Sequence, residues 1–147
     1  MATQVTMPDV ERELAKRKFT EFLTFVRIQN TDTEGAAEMV FEKWPHLIES
    51  AELLERHRRV IFLKARQIGL TWLMASYALW TAIYHDGAVV LVLSKGENEA
   101  KTFLRRIKFI HSRLPESLRG EVVIDSTTEL GFKSESKITA LPATEDA

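Results

Sequence analysis

The sequence predicts an α/β fold, a parallel sheet flanked by helices, and three observations carry that expectation. Val60-Ile61-Phe62-Leu63 and residues 88–93 are continuous apolar runs. They lack the in-and-out alternation of a half-wet strand and suit strands buried on both faces. Each run leads through a turn into a stretch free of Gly and Pro, 71–84 and 100–114, with apolar residues at helical spacing. Parallel strands need crossover helices of this kind, and such connections are right-handed.

In chain order, residues 1–8 are expected to fray, and Asp9 is the expected N-cap of a helix running to about Ile28. Val10, Leu14, Phe19, Phe22, Leu23 and Val26 give it one apolar stripe. Residues 30–35 are a turn-rich connector, and 36–42 are expected to form a short helix. Trp44-Pro45-His46-Leu47 follows, where proline stops one helix and opens the next, over 47–57.

Residues 71–84 are apolar nearly all round, the pattern of a helix buried between layers. Gly87 suits a left-handed C-terminal cap. After the second apolar run, Ser94-Lys95-Gly96 turns the chain into a helix whose inner face is Ala100, Phe103, Leu104, Ile107, Ile110 and Leu114. Pro115 ends that helix, 121–124 are expected to be a short strand, and 131–133 with 137–141 a strand pair.

The stretch between the first run and its helix is the chemically informative one. Lys64-Ala65-Arg66-Gln67-Ile68-Gly69-Leu70-Thr71-Trp72 stands where a phosphate-binding loop would. There a tight turn aims backbone N–H groups at one point, and the helix start adds its positive dipole end. Against G-x-x-x-x-G-K-S/T, Gly69 and Thr71 occupy the second Gly and the hydroxyl position, Leu70 replaces the lysine, and Lys64 occupies the first Gly position. Lys64 folding back over the loop, with Arg66 as a second cation, would restore the missing charge. The alternative is that both are solvated surface cations.

This nine-residue segment resembles the deviant Walker A loop of the large terminase subunits of tailed phages, motors that drive double-stranded DNA into procapsids. An Arg-Gln-x-Gly core and a lysine at the front of the loop carry the resemblance. It extends to Phe41-Glu42-Lys43-Trp44-Pro45-His46-Leu47 upstream, to Val89-Val90-Leu91-Val92-Leu93-Ser94 downstream, and to the tail around 131–143. It therefore spans about residue 41 to the C-terminus.

The resemblance implies a RecA/ASCE-like P-loop NTPase, with residues 1–35 a helical extension and 36–147 an incomplete ATPase domain. It implies ATP and Mg²⁺ as cofactors: Lys64 and Arg66 on the phosphates, 65–70 supplying backbone donors, and Thr71 as Mg²⁺ ligand. It places Trp44 and His46 where the adenine is held; from spacing alone, Trp44 reads first as an aromatic packed beneath a helix start. Ser94 and Lys95 would touch nucleic acid, or Ser94 would merely cap the next helix. A portal protein, a small terminase subunit, further copies of the chain in the assembled motor, and the host bacterial cytoplasm complete the implied setting.

Such an ATPase needs an apolar strand ending in Asp-Glu, to organise Mg²⁺ and activate water. Val122-Val123-Ile124-Asp125 lacks the Glu, and Glu145-Asp146 lacks the strand. The chain thus reads as the N-terminal part of a longer protein, expected to bind nucleotide weakly at best and not to turn it over. Two other readings stay open: a helicase-like P-loop NTPase, and a non-catalytic α/β module that binds a partner.

Composition sets the outer bounds. A chain of 147 residues, 45% hydrophobic, suffices for one domain with a core. The net charge of -1 gives no global sign of nucleic-acid binding, but cations cluster at 56–59 and at Arg105, Arg106 and Lys108. These read either as a solvated face or as phosphate contacts. The absence of Cys excludes disulfides and thiolate metal sites, and His46, His57, His85 and His111 have no ligand spacing. The longest apolar segment, 71–84, is too short and mixed for a membrane span.

Overall fold

Residues 70–84 combine strong helix formers with few polar side chains, and they form the helix around which the core is assembled. The computed structural model describes residues 6–29, 35, 37–64 and 69–143. In order these give α1 (Met7–Arg17), α2 (Phe19–Phe22), β1 (Arg27–Gln29), β2 (Glu38–Val40), α3 (Pro45–Arg56), α4 (Leu70–Tyr84), β3 (Val89–Ser94), α5 (Glu97–Arg113), β4 (Val122–Asp125), β5 (Glu129–Phe132) and β6 (Lys137–Pro142). Short 3₁₀ turns fill Leu23–Phe25 and Glu116–Leu118.

The protein is a mixed α/β structure. Its main sheet has four strands in the order β3-β6-β5-β4, flanked by helices, and β1 and β2 form a separate antiparallel pair. The expected parallel sheet is found in part: β3 and β6 run parallel, whereas β6-β5, the strand pair expected over 131–141, and β5-β4 are antiparallel. The tight turn between β5 and β6 forces that reversal, because a link of a few residues cannot make a parallel crossover. Register places Val90 beside Ile138 and Val92 beside Ala140, all on the face that packs into the core. Val89, Leu91 and Leu93 point to the other face and are exposed.

Helix α4 buries residues around its whole circumference, Leu70, Leu73, Ala75, Leu79 and Ala82 among them. Three of its aromatics are structural, with the polar tip tied to a backbone carbonyl. Trp80 Nε1 donates to Ala15 O at 3.0 Å, Tyr84 Oη to Leu118 O at 2.8 Å, and Tyr77 Oη to Leu54 O at 3.2 Å. Phe19 packs edge-on to Tyr77 at 5.1 Å and tilted against Trp80 at 5.6 Å. Such ring pairs contribute about 0.5–1.5 kcal/mol beyond area burial.

The expected helix over 9–28 is not continuous. It breaks at Lys18, whose φ -130° and ψ 118° are extended. The break turns Phe19, Phe22 and Leu23 fully inward, while Val10 and Leu14 of the expected stripe stay largely exposed. The N-cap is Thr6 rather than Asp9. Asp9 sits one turn inside, its Oδ2 accepting the Thr6 N–H at 3.1 Å and the Thr6 hydroxyl at 2.5 Å. The hydroxyl bond, then the backbone one, holds that carboxyl below its ordinary pKa. The helix expected over 36–42 is instead strand β2, zipped to β1 with Ile28 opposite Met39.

The largest correction concerns residues 60–63, expected as a buried central strand. They belong to neither sheet, and Ile61 and Leu63 are 97% and 102% exposed. An apolar run becomes a buried strand only where a partner edge receives it, and β3 takes β6 as its one neighbour among the described residues.

Candidate functional site

Two clefts flank the first turn of α4. The first is set up by Pro45, which opens α3 and confines Trp44 to an extended conformation, φ -58° and ψ 144°. The Trp44 carbonyl accepts the Leu47 and Ile48 N–H groups at 2.9 and 3.1 Å, and the Trp44 N–H donates to Glu42 O at 2.9 Å. This pinned backbone holds the Trp44 side chain 56% exposed at the mouth of a cleft of about 490 Å³. Ile28 and Met39, paired across β1 and β2, form the cleft with Phe41 and Leu47; Glu42, His46 and Gly69 complete it. An apolar bed with an indole and a few polar groups suits a flat heteroaromatic ring.

Gly69 stands at the N-cap of α4 with φ 82° and ψ 0°, in the left-handed region. Its carbonyl accepts the Leu73 N–H at 3.1 Å. No cap side chain bonds the first turn, so its backbone donors are not taken up by a capping residue.

The second cleft, of about 690 Å³, lies between α4, α5 and the open edge of β3. It gathers Thr71 and Ser94 with Glu99, Phe103 and Arg106. Ser94 does not cap α5, because the N-cap is Gly96. The Glu99 carboxylate folds back against the helix start, so close that a Cβ on Gly96 would lie 2.5 Å from Oε2. Two hydroxyls and one carboxylate suit a Mg²⁺ ion that arrives already carrying phosphates, rather than a standing metal site. Among the described residues no group of three His, Asp or Glu is placed to hold a metal.

The structure thus brings Trp44, His46 and Gly69 together in one cleft and Thr71 and Ser94 together in the other. Lys64 and Lys95 are exposed and line neither. Ala65, Arg66, Gln67 and Ile68 lie outside the described residues, as do Glu145 and Asp146. Asp125, the other candidate acid, is on β4 at the opposite edge of the sheet from β3 and pairs with Lys108 Nζ at 2.6 Å. Sequence reasoning gave Glu42 and Glu99 no role and read Arg106 only as part of a basic face, not as lining this cleft. The last two share a helix face with Phe103 at the spacing i, i+4, i+7, a signal that the inner-face pattern of α5 obscured.

Scanned against protein-family models the chain matches none, and a search of curated proteins likewise finds no match.

Proposed function

We propose that this chain is the nucleotide-binding part of a P-loop ATPase of the RecA/ASCE type, drawn from the large terminase subunit of a DNA-packaging motor. One observation carries the reading: Trp44 and His46, the residues assigned to the base, share a cleft with Gly69, the loop glycine at the start of α4. The purine would stack on Trp44 with His46 at its edge. The phosphates would run over the helix start toward Thr71 and Ser94, met by Lys64 and Arg66 from the preceding loop. Bound Mg²⁺ would supply charge neutralisation of the phosphates, with Thr71 as its protein ligand. In the parent protein, hydrolysis would drive double-stranded DNA past Ser94 and Lys95.

The test is titration of the chain with Mg-ATP by calorimetry and tryptophan fluorescence. Weak binding is expected, with Kd about 1 mM, or some -4 kcal/mol, no turnover, and loss of the response in Lys64→Ala. Absence of any response at saturating Mg-ATP, or an unchanged response in Lys64→Ala, would overturn the assignment.

A second reading, a non-catalytic module that pairs with a partner strand, is favoured by the exposed apolar residues of 60–63 and by the bare edge of β3. It expects no nucleotide response at all.

A further inference from the structure

We propose that Arg113, the last residue of α5, is a positioning residue for the nucleotide site, an assignment that rests on the nucleotide reading proposed above. It lines neither of the two clefts beside α4. Its role is to hold one wall of the Trp44 cleft in place relative to the first turn of α4, where the phosphates would lie.

That wall is the ribbon of β1 and β2. Each strand has three residues, and the pair is separate from the main sheet. A lone two-stranded ribbon is marginal in water, so its place is set by what packs on it. Side chains alternate along a strand. Ile28 and Met39 stand opposite one another and line the cleft, while Arg27 and Glu38, each one residue away, belong to the other face. There both Glu38 oxygens are engaged: Oε2 accepts the Arg113 Nε–H at 2.9 Å, and Oε1 lies 3.7 Å from Arg27 Nε. One carboxylate thus closes the charge pair across the ribbon and ties the ribbon to α5.

Arg113 is in turn seated on an aromatic pair. Its guanidinium lies 4.9 Å from the centre of the Phe109 ring, and Phe109 meets Trp72 edge-on with ring centres 6.2 Å apart. Trp72 is in the first turn of α4, next to Thr71 of the second cleft. The contacts Glu38, Arg113, Phe109 and Trp72 therefore run from the neighbour of Met39 to the neighbour of Thr71, that is, from the base end of the site to its phosphate end. The middle place calls for a planar cation that pairs with a carboxylate and lies on a ring, and a lysine ammonium offers the charge without the plane. At 46% and 37% side-chain exposure the Arg113 and Glu38 pair adds little to global stability. What it decides is where the ribbon sits.

The experiment is Mg-ATP titration of the whole chain by tryptophan fluorescence, with urea denaturation of each variant. Arg113→Met, which keeps the bulk and removes the charge, should weaken Mg-ATP about fivefold with the urea midpoint almost unchanged. Arg113→Lys should recover part of that loss. Glu38→Gln separates positioning from through-space attraction: removal of a negative charge would by itself tighten the binding of a polyanion, whereas a displaced ribbon weakens it, and weakening is expected. Because both side chains act through one contact, the double variant Glu38→Gln/Arg113→Met should bind no more weakly than the weaker single one.

The positioning role is overturned if Arg113→Met binds Mg-ATP as the native chain does, if its affinity falls only in step with its urea midpoint, if Glu38→Gln binds more tightly, or if the two losses add in the double variant. Failure of the nucleotide reading looks different. The native chain itself then gives no response at saturating Mg-ATP, and the positioning role falls with it.

Discussion

Gly69 and Leu47 are in such close approach that a Cβ on the glycine would lie 3.1 Å from Leu47 Cδ1. The contact joins the start of α4 to the start of α3, and so joins the candidate phosphate loop to Trp44 and His46. Gly69→Ala meets two penalties at once, a left-handed φ and a side chain that must yield. A loss of about 1–2 kcal/mol is expected, read as a shift of the urea midpoint at unchanged m-value. Nucleotide affinity should fall further than stability does, because the cleft itself is displaced.

Trp44 has the opposite profile. Its side chain is more than half exposed, so Trp44→Ala should change stability by no more than about 0.5 kcal/mol. Mg-ATP binding should weaken about five- to tenfold, the worth of roughly 1 kcal/mol of ring stacking. Equal affinity in the variant would remove the indole from the site and return it to a surface role.

Trp80 is a pure test of the core. Its indole N–H donates to Ala15 O in a buried setting, and Trp80→Phe would strand that carbonyl and leave a small void. About 2–3 kcal/mol of stability should be lost, visible in chemical denaturation, with nucleotide affinity unmoved in the fraction still folded.

His111 provides a pH dependence of stability. Burial pushes its pKa below the usual histidine range, opposed by its hydrogen bonds to the Arg119 and Gly120 backbone. Nε2 lies 2.8 Å from Arg119 O, so the neutral ring donates there. The folded pKa is depressed, so the unfolded chain takes up the proton first as pH falls through about 6.5. Stability is fully present above that value and declines as pH drops toward the folded pKa. Denaturation midpoints compared between pH 7.5 and 5.5 should show the decline in the native sequence and a weaker one in His111→Gln.

Much of this architecture was legible because the relevant signals are local. The glycine at 69 and the proline at 45 set helix starts by backbone geometry alone, and β3, α4 and α5 follow from uninterrupted apolar runs and helical spacing. The clustering of Trp44, His46 and Gly69 was legible only as what the terminase resemblance implies, since spacing alone made Trp44 an aromatic beneath a helix start. What escaped depended on partners distant in sequence. Lys18 is an ordinary helix former, and its extended conformation follows from the pull of Phe19 and Phe22 toward Tyr77, Trp80 and Tyr84. The strand pairing of 38–40 rests on β1, and nothing in either tripeptide announces the other. Residues 60–63 have the composition of a core strand, but composition reports what a segment can bury and not whether a receiving surface exists.

The open flank of β3 governs how the protein behaves in the tube. From Val89 to Ser94 one row of amides and carbonyls is left without a neighbouring ladder among the described residues, with Val89, Leu91 and Leu93 bare beside it. Such a margin is a template on which other molecules can lengthen the sheet. Turbidity on concentrating the sample should therefore begin here, and Leu91→Lys, which sets a charge on that strip without touching the interior, should raise the concentration at which the solution stays clear.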